Sequence, residues 1–127
     1  MSWNLFLDDE RNLEDVKWVS WQVQDKYRNE DWKIARNHQG VIDLIEEYGY
    51  PQYVSFDHDL GDIIPNGDGY QVAKYLCDLD MNTSYKMPKG FDFCVHSKNP
   101  VGKTNIESYM NSYINFKKEN EPSPQKI

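Results

Sequence analysis

The chain has 127 residues, a formal net charge of −7 and an isoelectric point near 4.8. That length suits one domain with its own core, and an aromatic share of 14 % excludes a disordered chain, since disordered chains are poor in aromatics. The acidic balance excludes general nucleic-acid binding, because such a surface repels a phosphate backbone; a small phosphorylated ligand needs a metal ion or a local cluster of N–H donors and cations to receive it. No apolar run is long enough to span a membrane, and "MSWNLFLDDER" lacks the basic start and long apolar core of a signal peptide, so the expected location is cytoplasmic. Cys77 and Cys94 have no CxxC spacing and read as two buried free thiols.

In chain order, residues 3–8 (WNLFLD) read as a short buried strand that ends in charges. Residues 10–30 are a weak helix or a long loop: Val16, Val19 and Val23 have rough helical spacing in an otherwise polar segment. Trp32 to Arg36 reads as a second strand. A helix starting at Asn37 or His38 follows, with Val41, Ile42, Leu44, Ile45 and Tyr48 as its apolar stripe and Gly49 as its stop. Residues 52–57 form the third strand, and "LGDIIPNGDG" is a loop by its Gly, Pro, Asn and Asp content.

"GYQVAKYLCDLDMN" reads as a helix with Val72, Ala73, Leu76, Cys77 and Leu79 on its inner side. "FDFCVHS" is the fourth strand and "NPVGK" a turn. The last helix then runs through "TNIESYMNSYINFKKE", capped by Thr104 or Asn105. The domain spans residues 1–120, with a flexible tail at 121–127. Strands alternating with helices imply an α/β fold: a single three-layer domain around a four- or five-stranded parallel sheet with right-handed crossovers.

Ligand sites in such sheets lie outside the carboxyl ends of the strands. Three polar clusters sit at those ends: Asp8-Asp9, Asp57-His58-Asp59 and His96-Ser97. If the three strands are neighbours, the clusters converge on one rim. Asp8, Asp9, Asp57 and Asp59 would then repel one another, and a hard divalent cation with oxygen ligands resolves the repulsion. Mg²⁺ fits, and the histidines extend the choice to Mn²⁺. His58 and His96 are candidate proton carriers, and Ser97, Lys98 and Asn99 carry groups that bind phosphate oxygens. "GKT" is not a nucleotide-binding loop, because the GxxxxG spacing before it is absent.

"LFLDDER", "SFDHDLG", "GDGYQVAKYL" and "VHSKNPVGKTNI" together resemble the cyclic-phosphate processing receiver-like family, a divergent branch of the response-regulator receiver fold. The motifs occur in family order over most of the chain, with residues 12–30 the least family-like. The resemblance implies a receiver-like, flavodoxin-type sheet and a small cyclic nucleotide or other phosphorylated ligand. It matches Asp8 and Asp9 to the metal-binding acidic pair of receivers, Asp57 (or Asp59) to their phosphoacceptor, and Ser97 to their hydroxyl after the fourth strand. Receivers also carry a Lys after a fifth strand. No fifth strand is evident in this sequence, and Lys98 is the candidate substitute.

The leading expectation is a metal-dependent phosphoesterase acting on a cyclic phosphate, with Asp57 and His58 or His96 as catalytic groups. A phage protein that removes a host nucleotide signal, acting in the host cytoplasm, suits that activity. The alternatives are a phosphoacceptor switch and a non-enzymatic interaction protein, for which aromatics around Trp18 and Trp21 and on the last helix would supply a protein-partner surface.

Overall fold

The computed structural model describes residues 2–60 and 68–120. The expected flexible tail and most of the "LGDIIPNGDG" loop lie outside the described residues. Four strands, β1 (Asn4–Leu7), β2 (Trp32–Ala35), β3 (Tyr53–Phe56) and β4 (Asp92–Val95), pair in parallel in the order β2-β1-β3-β4. This is the receiver-like α/β architecture in its four-stranded form, and β4 forms an edge. The helices are α1 (Trp21–Asn29), α2 (His38–Tyr48), α3 (Gly69–Asn82) and α4 (Pro100–Asn120), with a short 3₁₀ turn at Leu13–Asp15 before α1.

The two-residue period of the strands sorts their side chains into two layers. Leu5, Leu7, Val54 and Phe56 join Val41 and Ile45 of α2, Val72 and Leu76 of α3, and Ile106 and Met110 of α4 in the main core. The other parity, Phe6 and Ser55, meets Tyr27 of α1: Phe6 packs edge-to-face on Tyr27, whose hydroxyl hydrogen-bonds Ser55 Oγ at 2.7 Å. Polar α1 buries none of its residues fully, which explains why its sequence signals a helix so weakly.

Helix starts follow side-chain caps. Asn37 accepts from Gly40 N–H at the start of α2, and Asp68 accepts from Gln71 N–H at the start of α3. Gly49 ends α2 with φ +86°, a conformation that disfavours a side chain. The last helix corrects the sequence reading. It begins at Pro100, so "NPVGK" is mostly its first turn, and the cap is Asn99, whose Oδ1 accepts from Gly102 N–H at 3.0 Å. Proline suits that first position because its missing N–H would have no helical partner there. Cys77 is buried as expected, Cys94 only half-buried, and both are free thiols.

Candidate functional site

The sheet ladder itself delivers three of the sequence-predicted residues. Asp8 N–H donates to Ala35 O, Asp57 N–H to Leu7 O and His96 N–H to Phe56 O, at 3.1, 2.9 and 2.8 Å. Each residue is therefore one more rung beyond its strand. Each also continues the α1-facing parity of its strand, Phe6 to Asp8, Ser55 to Asp57 and Cys94 to His96, so the three side chains meet. One ligand atom from each of Asp8, Asp57 and His96 lies within 4.8 Å of the others, and all three residues are buried.

Asp8 is the hub. Its Oδ1 accepts the backbone N–H groups of Glu10 and Arg11, and its Oδ2 lies 2.9 Å from His96 Nε2 and 3.2 Å from Arg11 Nη1. Burial by itself raises the Asp8 carboxyl. The hydrogen bonds from His96, Arg11 and Glu10 outweigh it and hold Asp8 well below the usual carboxylate range. Behind it, His96 Nδ1 lies 2.8 Å from Ser55 Oγ, and the His96 ring stacks on Phe6 with centroids 4.7 Å apart. A polar chain thus runs from Tyr27 through Ser55 and His96 to Asp8.

Asp57 Oδ1 accepts from His58 N–H, and its Oδ2 lies 3.9 Å from Arg11 Nη1. Burial first, and the Asp8 charge second, push the Asp57 carboxyl up against the opposing pulls of His96, the His58 N–H and Arg11. α3 comes close here: a Cβ on Gly69 would sit 1.9 Å from the Asp57 carbonyl oxygen, so only glycine fits.

Above the cluster lies a cleft of about 470 Å³ lined by Asp9, Glu10, Arg11, Asp57, Asp59, Ser97, Lys98 and Asn99. Asp9 and Asp59 thus reach the cleft wall and do not join the buried trio. Asp9 is raised chiefly by burial; Asp59 is lowered chiefly by the hydrogen bond from His58. His58 stands between carboxylates, with Nδ1 2.9 Å from Asp59 Oδ1 and Nε2 3.7 Å from Asp68 Oδ2. Its ring rests on Gly102, where an added Cβ would come within 2.3 Å of the imidazole. Asn99 Nδ2 reaches Asp59 at 3.3 Å, and Ser97 Oγ accepts from Asn99 N–H. Lys98 is exposed, with Nζ 4.2 Å from the Trp18 ring centroid.

Sequence reasoning missed Arg11, Ser55 and Tyr27, and gave Trp18 to a partner surface and not to the site. Arg11 bridges the two buried carboxylates and stacks on Trp18 at 5.1 Å, while Trp18 Nε1–H donates to His96 O at 2.7 Å. The available signals were a cation three residues after Asp8 and a lone serine hydroxyl inside an apolar strand.

The donor set suits a divalent cation: two buried carboxylates and an imidazole, with a guanidinium standing where positive charge is required. Asp8 and Asp57 would be the oxygen ligands; His96 is a third candidate whose Nε2 is engaged with Asp8.

A parallel 2-1-3-4 sheet with an acidic site at its carboxyl edge defines a receiver-like α/β protein. Residues 3–112 match the family described as the Cyclic-phosphate processing Receiver domain, and the chain belongs to that family. Membership implies cyclic-phosphate processing and a cyclic-phosphate ligand.

Among solved structures, the chain is similar to the N-terminal domain of a response regulator/sensory box/GGDEF three-domain protein from Carboxydothermus hydrogenoformans. The identity is 17 %, the TM-score 0.48, and the match covers 91 % of this chain and 98 % of that one. A yeast Spc42 trimeric coiled-coil segment fused to another structure matches at 15 % identity and TM-score 0.47, covering 98 % and 84 %. An adenylate cyclase from Rhodopirellula baltica matches at 13 % and 0.44, covering 94 % and 95 %. No curated protein matches the chain. No helix among the described residues is long and apolar enough to cross a membrane.

Proposed function

We propose that the chain is a metal-dependent phosphoesterase that hydrolyses a cyclic phosphodiester, as in a cyclic nucleotide. The observation that carries this reading is the pair of buried carboxylates, Asp8 and Asp57, of which Asp57 lines a cleft shared with Ser97, Lys98 and Asn99. Asp8 and Asp57, with Asp9 and Asp59 on the cleft wall, form the acidic set toward Mg²⁺ or Mn²⁺. A cation held there would supply Lewis-acid polarisation of the phosphoryl group and offset its developing charge.

The residues of the chain do the rest. The Ser97 hydroxyl, the Lys98 ammonium and the Asn99 amide donate to phosphate oxygens. Hydrolysis forms one bond from a water oxygen to phosphorus and breaks one ring P–O bond. The water loses a proton and the leaving alkoxide gains one. The pair of Asp59, which lines the cleft, and the partly exposed His58 behind it takes the first and returns the second. His96 is fully buried, with both ring nitrogens engaged, by Ser55 Oγ and Asp8 Oδ2. It acts through Asp8 as a positioning residue, fixing that carboxylate and keeping it ionised. Removal of a host cyclic-nucleotide signal by a phage-encoded protein is a setting that suits this activity.

The test is product analysis on 2′,3′-cyclic and 3′,5′-cyclic mononucleotides and cyclic oligonucleotides, with Mg²⁺, Mn²⁺ or EDTA. Ring-opened products that appear with metal and vanish with EDTA are expected. A folded protein inert on the whole panel contradicts the reading. A second reading, a phosphoacceptor switch, is favoured by one observation: Asp57 itself lines the cleft at the carboxyl end of β3. A hydroxylamine-sensitive mass increase on Asp57 after treatment with a small phosphodonor would select it.

A further inference from the structure

Asp8 and Asp57 are buried side by side, and a cation between two such carboxylates is favourable. Among the described residues, Arg11 is the one arginine or lysine whose cation lies within 4.0 Å of both Asp8 and Asp57. Its Nη1 is 3.2 Å from Asp8 Oδ2 and 3.9 Å from Asp57 Oδ2. Its guanidinium is steered there by the Trp18 ring, 5.1 Å from its carbon, and Trp18 is itself tied to the site by the hydrogen bond to His96 O. Arg11 also lines the cleft. A divalent cation bound by the same oxygens would need them at about 2 Å, in space that the guanidinium now fills. Two cations a few ångströms apart in a partly buried site also repel strongly.

We propose that Arg11 is the built-in counter-ion of the Asp8–Asp57 pair, and that a divalent cation enters the site only by displacing its guanidinium toward the cleft. This rests on the metal reading above. It assigns to Arg11 the control of how tightly the site takes its cation. Arg11 stands between the two carboxylates until the metal arrives, and its release adds a second cation, beside Lys98, to the space that receives the anionic ligand.

The experiment is a Mn²⁺ titration of the full chain followed by electron paramagnetic resonance, wild type beside Arg11→Gln. Loss of the competing charge is expected to tighten Mn²⁺ binding by roughly tenfold or more. Equal or weaker binding by a folded Arg11→Gln protein, with wild type binding Mn²⁺, overturns the exchange and leaves the metal reading standing. Absence of Mn²⁺ binding in both proteins overturns both. If Arg11→Gln does not fold, the wild type still decides. The Arg11 side-chain N–H resonance is expected to move when Mg²⁺ saturates the protein, and an unmoved resonance with Mg²⁺ bound contradicts displacement.

Discussion

His96 Nε2 and Asp8 Oδ2 meet 2.9 Å apart with both side chains fully buried, linking the ends of strands that are not neighbours in the sheet. β3 lies between them, and Ser55 of β3 anchors the other ring nitrogen. The pair therefore clamps three strands at the edge where the ligand cleft opens. His96→Ala is expected to destabilise the protein by about 3 kcal/mol in a denaturant titration, because Asp8 keeps its charge in the interior without that partner. A loss within about 0.5 kcal/mol, the range of an ordinary surface substitution, would show the pair to be dispensable.

The two buried carboxylates respond to pH with opposite sign. Asp8 is held low in the folded protein, so it stabilises the fold above the unfolded carboxyl range near 4, and that contribution is lost as pH falls toward its folded value. Asp57 is raised, so its ionised form costs stability at neutral pH, and the cost disappears as pH falls through its folded value. Asp57→Asn is therefore expected to raise the melting temperature at pH 7, with the gain vanishing in acid. Asp8→Asn is expected to lower it at pH 7, with the difference shrinking in acid. Melting curves of both variants between pH 3 and 8, without divalent metal, check the signs; matching shifts for the two would contradict the assignment.

Gly69 and Gly102 are both required by close approach, and they fail differently. At Gly69 the obstacle is the backbone carbonyl of Asp57, which has no rotamer to escape into. Gly69→Ala is expected to cost about 3 kcal/mol or more, measured by chemical denaturation. At Gly102 the obstacle is the His58 side chain, which can rotate. Gly102→Ala is expected to cost less in stability, yet to separate His58 from Asp59 and lower turnover. A Gly102→Ala protein with full turnover would remove His58 from the proton path.

Asn99 carries two duties, capping α4 through Oδ1 and reaching Asp59 through Nδ2. Asn99→Ala is expected to lower stability by about 1 kcal/mol, as for a lost N-cap. Asn99→Asp keeps the cap and puts a negative charge beside Asp59, so it should weaken ligand binding with less loss of stability. Equal effects of the two variants on ligand affinity would separate Asn99 from the phosphate.

The alternation of strands and helices was legible in the sequence because each strand is a short apolar run that ends in charge. The helix at Gly69–Asn82 was legible to the residue, since its apolar stripe is long. The start of α4 was not. Pro100 and Gly102 carry the local signature of a turn, while the reason for Gly102 is tertiary: the His58 ring needs the space. That three strand-end clusters could share one rim was legible from the strand ends; that Asp8, Asp57 and His96 meet in the interior while Asp9 and Asp59 stay on the cleft wall was not, because it depends on strand order and side-chain parity. Nor were the roles of Arg11 and Trp18, because they depend on how the segment between β1 and α1 folds back over the sheet edge, and that segment has too little apolar pattern to show it.

The most direct test of a cation held by Asp8 and Asp57 is metal-dependent turnover of a cyclic phosphate by wild type, Asp8→Asn and Asp57→Asn, with folding of each protein verified. Wild type is expected to hydrolyse at least one substrate with Mg²⁺ or Mn²⁺, and both substitutions to reduce the rate by about 100-fold or more while the proteins stay folded. Undiminished turnover in either folded variant, or hydrolysis unaffected by EDTA, would contradict the placement of the cation on Asp8 and Asp57.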